Sequence, residues 1–325
     1  TRTDTYTESG SLAYPYKTLS SAIINHCGDD NTETIIFYLA PGNYVGTITH
    51  TKSVANQEIH IIGRCNSGVK IQGSSNWDNG VSNVLFLRNF TNITLQNVTV
   101  MYGAYGFYPR DCNKVSIINS RFINCGSSGN ETLHNGSGSA SEQVKYKWSS
   151  GDSLSVNTSN GGAMRVRNCD DIIIRNNVVE YCFRGYRIQD CKRGVIGNNR
   201  VYKILDNGIY LASGSYTGDV NYGCEELMVV NNTIEHSGHH GLVVIGGRNN
   251  VFEGNVVKHS WATGINVCHS VNVDVVNNTF INNNIKMYNG YGVNTEHVSQ
   301  IYGYASSGID QSSTTKYFMN ILNNI

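Results

Sequence analysis

Proline is nearly absent from this chain, with 3 residues in 325 against 34 glycines. Proline removes a ladder donor, so its scarcity suits a fold built from hydrogen-bonded strands and many tight turns. Charge is also sparse, at 15% of residues, and 24 Lys and Arg balance 24 Asp and Glu. A net charge of zero supplies no long-range field, which argues against nucleic acid as a partner. No apolar run approaches transmembrane length, so no membrane insertion is predicted. The nine cysteines contain no C-x-x-C pair and their number is odd. That disfavours both a metal-type motif and a complete disulfide framework. The chain begins without Met or a signal-type segment and stops amid an asparagine corner, Asn323-Asn324, which predicts a piece of a longer protein.

What is present is repetition. Asn119-Ser-Arg-Phe-Ile, Asn176-Asn-Val-Val-Glu, Asn198-Asn-Arg-Val-Tyr, Asn231-Asn-Thr-Ile-Glu, Gly254-Asn-Val-Val-Lys and Asn277-Asn-Thr-Phe-Ile superimpose. Most recur every 22 or 23 residues, and the spacings of 57 and 33 fit one unit plus an insertion. A fixed period of this length means one structural unit stacked on itself. Each unit reads as three short strands and tight turns, as in Gly185-Tyr-Arg-Ile-Gln, Gly194-Val-Ile-Gly and Arg200-Val-Tyr-Lys-Ile. The expected fold is all-β, a parallel β-helix (solenoid). At the corner, asparagine tolerates left-handed backbone and its amide can bond the next coil's amide. Asn97, Asn177, Asn199, Asn232, Asn255 and Asn278 are predicted to form that ladder, with Ser120 the exception.

Residues 1–34 read as an N-terminal cap and 35–325 as the β-helix, with insertions at about 127–160 and 213–223. Ser20 to Cys27 carry apolar residues at helical spacing, a short helix to cover the open end. The repeats, together with Pro15-Tyr-Lys-Thr-Leu-Ser-Ser-Ala-Ile and Ala40-Pro-Gly-Asn-Tyr, resemble the right-handed parallel β-helix of the pectin-lyase-like superfamily over roughly residues 35–325. Similar cap segments begin secreted polysaccharide lyases and phage tailspikes. The resemblance implies an extracellular protein, secreted or on a virion or phage tail, with ligands along the outer face of the first strand of each coil.

Side chains alternate along a strand. Outward on the first strands come Tyr108 and Arg110, Arg165 and Arg167, Arg187 and Gln189, Tyr210 and Ala212, then Val243 and Ile245. Stacked arginines repel unless anions occupy them, and the guanidinium fork matches a carboxylate. Tyrosine faces suit sugar rings, so the predicted partner is an acidic polysaccharide. Lys147, Trp148 and Tyr216, on the two insertions, are candidate substrate contacts. In the preceding turn, Phe183-Arg184, Asp206-Asn207 and His239-His240 fall in register, which places Asp206 one coil from His239. His236 and His259 also stack and read as structural. Cys112, Cys169, Cys191 and Cys224 share one column and Cys125 and Cys182 another, expected as buried thiols.

Two chemistries fit these residues. In β-elimination on a uronate, Arg165 and Arg187 neutralise the carboxylate, His239 or His240 removes the C5 proton, and Tyr210 protonates the leaving oxygen, with Lys147 a rival base. Hydrolysis needs two carboxylates, Asp206 with Asp219, Glu225 or Asp152. A third reading is a non-enzymatic glycan-binding fibre or adhesin, in which outward apolar residues such as Val243 and Ile245 meet in a homotrimer. Gly238-His-His-Gly and Arg187-Ile-Gln are faintly similar to polygalacturonase segments, but in reversed order and without the paired aspartates. The sequence requires no cofactor; Asp111, Asn168 and Asp190 form a thin turn column as the one candidate for Ca2+.

Overall fold

The computed structural model describes residues 16–73, 82–126, 161–213, 223–283, 301–304 and 319–325. Twenty-seven strands and one helix lie among them, and every strand pairing is parallel. The chain winds as a right-handed parallel β-helix, the hand expected where parallel strands of one sheet are joined by crossovers. Each coil contributes a first, a second and a third strand. In one coil these are Tyr186–Gln189, Lys192–Gly197 and Arg200–Ile204. Third strands stack as a nine-stranded sheet from Gly42–Val45 to Thr279–Ile281. First and second strands join into one larger sheet, because Gly162–Arg175 runs unbroken through both.

Alternation fixes which side chains enter the core. Phe107, Met164, Tyr186, Ile209, Leu242 and Ile265 stack in register on the inner side of the first strands, and all are buried. At the open end, helix Leu19–His26 is capped by Thr18, whose hydroxyl accepts from the Ser21 N–H at 3.1 Å. Lys52 ties the cap to the coils. It is wholly buried and donates to the carbonyls of Gly28 and Asn31 at 2.6 and 2.7 Å, and to Gln57 at 3.1 Å.

The corner divides between two residues the work that the sequence reading gave to one. The first residue takes the left-handed backbone, at Asn97, Asn119, Asn176, Asn198, Asn231, Asn277 and Asn323. Gly254 substitutes in one coil with φ +63°, a region glycine enters without penalty. The second residue points inward and builds the ladder. Asn177 donates to Asn199 (3.1 Å), Asn199 to Asn232 (2.9 Å), Asn232 to Asn255 (3.0 Å), Asn255 to Asn278 (2.9 Å) and Asn278 to Asn324 (3.0 Å). Asn97 therefore is not a ladder member: it pairs with Asn119 in the left-handed column, through an N–H bonded to Ile118 O, and Val98 holds the inward position.

All nine cysteines are free, and eight are buried. Cys112 lies opposite Cys169, in the predicted column. Burial pushes the Cys224 thiol up to about 12, so that sulfur is a small core group rather than a nucleophile.

Candidate functional site

Strand register builds the outer stripe directly. Phe86, Tyr108, Arg165, Arg187, Tyr210, Val243 and Asn266 succeed one another in one column. Two residues further along the strands, Arg88, Arg110, Arg167, Gln189, Ala212, Ile245 and Cys268 form a second. Coils stack about 4.8 Å apart, so neighbouring guanidinium groups must find acceptors.

The second column lies beside carboxylates of the following turn, and Arg88 is hydrogen-bonded to one of them. Arg88 Nε donates to Asp111 at 2.6 Å, Arg110 Nε lies 3.3 Å from the same carboxylate oxygen, and Arg167 Nε lies 4.0 Å from Asp190. Asn168 donates to the other Asp111 oxygen at 2.9 Å. Carboxylates that the sequence offered as a thin calcium column thus serve as counter-ions to arginines.

The first column is answered differently. Arg165 Nε donates to the buried Gln189 side chain at 2.6 Å, and its guanidinium lies 4.9 Å from the Tyr108 ring centre and 5.8 Å from that of Tyr105. These partners are neutral. Burial lowers the Arg165 pKa below the usual arginine value; the two tyrosines oppose that, while Arg187 and Arg167 add to it. Arg187 donates to the Tyr105 hydroxyl at 3.4 Å. The group keeps its charge, and an arriving anion would relieve it. Tyr108 packs edge-on against Phe86 at 5.0 Å, which fixes the rings beneath the arginines.

Further along, the stripe becomes apolar. Tyr210, Ala212 and Val243 form a small buried cluster with Ile245 against it. Val243 is 1% exposed within the single chain. It therefore offers no free apolar surface for the three-fold contact suggested by its outward position. Tyr210 is also buried, at 4%.

The turn before the first strand carries the titratable groups. Backbone bonds run from Asp206 N to Phe183 O, from His239 N to Asp206 O and from Ala262 N to His239 O, which sets Phe183, Asp206 and His239 in one column. A neighbouring column holds Arg184, Asn207, His240 and Thr263. Close stacking is possible because glycine follows: a Cβ on Gly185 would meet the Gly208 carbonyl oxygen at 2.0 Å. Arg184 reaches across to Asp206 in a close ion pair, and His239 Nδ1 lies 3.5 Å from the other Asp206 oxygen. Asp206 is wholly buried. Burial alone would raise its pKa, but Arg184 and His239 outweigh it and hold the carboxyl below its ordinary value. A glycosidase acid needs the opposite shift, and its named partners do not supply it. Glu225 pairs with Arg248 at 2.7 Å on the second-strand face, while Asp152 and Asp219 lie outside the described residues.

His240 is 2% exposed. Its Nδ1 accepts from the Thr263 backbone N–H at 3.3 Å and lies 2.7 Å from the Thr263 hydroxyl, and its Nε2 lies 3.2 Å from the Asn266 amide. His239 retains partial exposure, 16% of its side chain. Of the two histidines, His239 is the more exposed. Lys147, Trp148 and Tyr216 lie outside the described residues. Arg88, Tyr105 and the reach of Arg184 were not foreseen. One more coil of alignment would have found Arg88; the other two depend on contacts between columns.

The family described as periplasmic copper-binding protein (NosD) matches residues 124–302, more than half of the sequence. The chain belongs to the NosD family. No curated protein matches it. Solved structures similar to it include the mannuronan C-5 epimerase A-module of Azotobacter vinelandii, at 13% identity over 94% of this chain and 88% of that one, TM-score 0.46. A double mutant of the tailspike protein of E. coli bacteriophage HK620 has 11% identity over 94% and 62%, TM-score 0.47. Alginate lyase from Paenibacillus sp. has 13% identity over 94% and 92%, TM-score 0.40.

The copper in the NosD family's description does not fit the residues seen here. No group of three or more His, Cys, Asp or Glu able to hold a metal exists among the described residues. Eight of the nine thiols are buried, burial raises the pKa of Cys169 and Cys224 among them, and both His240 nitrogens have protein partners. No helix among the described residues is long and apolar enough to cross a membrane.

Proposed function

We propose that the first-strand face binds an acidic, uronate-containing polysaccharide outside the cytoplasm, and that this site cleaves it by β-elimination. The observation that carries the reading is the contrast between two arginine columns. Asp111 and Asp190 answer one; Gln189 and tyrosine rings surround Arg165 in the other, beside Arg187. A carboxylate bound at Arg165 and Arg187 would meet two-pronged donors, and Tyr105 and Tyr108 would underlie the sugar. Neutralising that carboxylate acidifies the adjacent C–H. His239, backed by Asp206, takes the proton, and Tyr210 protonates the leaving oxygen.

The test is absorbance near 235 nm, the unsaturated uronate chromophore, on a panel of alginate, pectate, glycosaminoglycan and bacterial capsule substrates. A rise that Arg187→Ala and His239→Gln each abolish supports elimination. New reducing ends without absorbance would transfer the reaction to hydrolysis. A second reading, a binding face without cleavage, is favoured by one specific observation: Tyr210 and His240 are both buried. It predicts retention of acidic glycans on the wild-type protein with neither signal.

A further inference from the structure

Among the described residues, Asp206 Oδ1 and His239 Nδ1 are both buried from solvent and neither has a hydrogen-bond partner. They lie 3.5 Å apart, at the outer edge of hydrogen-bond reach. A buried polar atom left unpaired costs about 1–3 kcal/mol, so a small approach of the two that pairs them is favoured. An ionised carboxylate can only accept. The proton between them must then sit on Nδ1, which leaves the lone pair of a neutral His239 on Nε2. Arg184 decides whether that logic holds. Its Nε donates to Asp206 Oδ2, and without it a carboxylate with no solvent exposure would keep only His239 against the cost of desolvation, which favours uptake of a proton. A carboxylic O–H can donate to Nδ1, and the imidazole proton would then move to Nε2.

We infer that Arg184 is a positioning residue that acts through Asp206 to fix the tautomer of His239, with Nδ1 protonated and Nε2 basic. The inference rests on the proposed function for its purpose, since only that tautomer presents a base to a substrate proton, but its test needs no substrate. Arg184 sits three residues before Arg187 on the same coil. One strand entry therefore carries both the arginine proposed to hold the carboxylate and the arginine that sets the base. Phe183 packs beneath the Arg184 guanidinium, 5.0 Å from ring centre to carbon, and limits its freedom.

The experiment is a long-range proton–nitrogen correlation of histidine side chains in uniformly 15N-labelled protein near pH 7.5, with His239 assigned from His239→Gln. Wild type should show a pyridine-type Nε2 and a pyrrole-type Nδ1. Arg184→Ala should transfer most of the population to the Nε2–H form, and Arg184→Lys should restore the wild-type pattern. A far-UV circular dichroism spectrum like that of wild type qualifies each variant as folded. If Arg184→Ala fails that criterion, Asp206→Asn replaces it. There the amide oxygen faces Arg184 and the N–H group faces Nδ1, so the proton should again move to Nε2. A wild-type protein already in the Nε2–H form overturns the inference, as does a folded Arg184→Ala with an unchanged pattern. If the tautomers behave as stated while no panel substrate is bound or cleaved, the inference stands and the proposed function falls.

Discussion

Two ladders of like side chains run along this molecule, one of asparagine at the buried corner and one of arginine on the outer face. Both repeat with the coil, yet only the first is self-sufficient. Each Asn side chain carries a donor and an acceptor, so Asn199 receives from Asn177 while giving to Asn232, and its second N–H goes to the Ile174 carbonyl. A guanidinium has donors only. Arginine ladders cannot close on themselves and must be answered from outside the column. At Arg88, Arg110 and Arg167 the answer comes from the chain's own aspartates; at Arg165 it comes from an amide and two rings. Among the described residues the partners of Arg165 are neutral groups, and that is where the proposed carboxylate would bind.

The comparison can be broken most severely where an arginine is answered by a buried charge. Arg184→Ala should cost about 3–5 kcal/mol in urea unfolding, because it strands Asp206 in the interior. The pH dependence follows from the sign of the Asp206 shift. Its folded pKa lies below the ordinary value, so the contribution is present above an unfolded pKa of about 3.9 and is lost as pH falls through the lower folded value.

Asn232→Ala attacks the self-sufficient ladder. It removes acceptors from the Asn199 N–H and amide and a donor from the Ile196 carbonyl. At about 1–3 kcal/mol for each stranded group, a loss of roughly 3 kcal/mol is expected, read by the same unfolding curve. Arg187→Ala should leave that curve within about 1 kcal/mol but weaken acidic-glycan binding by about tenfold to a hundredfold, the value of a charge-assisted pair of hydrogen bonds. Isothermal titration resolves the difference. Arg88→Ala removes an internally neutralised arginine and should change stability by no more than about 1 kcal/mol, with glycan affinity unaltered.

The smallest effect concerns a third stack. His236 and His259 lie 5.0 Å apart in near-parallel planes. Burial, together with His259 and Lys203, lowers the His236 pKa against the opposing pull of Glu235. A depressed folded value means the contribution is present above about pH 6.5 and declines as pH falls below it. His236→Gln should flatten that decline in thermal midpoint between pH 7 and 5.

The period, the three strands and the inward residues were legible because alternation and repetition are one-dimensional. So was the stripe, since aligning coils is equivalent to reading strand register. What failed was anything that depends on reach between columns. Asn97 looked like a ladder member because both corner residues are usually asparagine, and only the backbone shows which one turns inward. Val243 was expected outward and is, but its burial against Tyr210 depends on neighbours that alternation does not specify. Asp206 was aligned correctly with His239, whereas Arg184 crosses from the next column, and its length carries it there.

The central claim is that Arg165 and Arg187 hold the carboxylate of an acidic glycan. Titration of the protein with an acidic polysaccharide and with the same polymer after carboxyl reduction tests it most directly. The account predicts binding of the acidic form alone, weakened about tenfold or more in Arg165→Gln and Arg187→Ala and kept in Arg88→Ala. Equal binding of both polymers, or an affinity indifferent to Arg187, would contradict it.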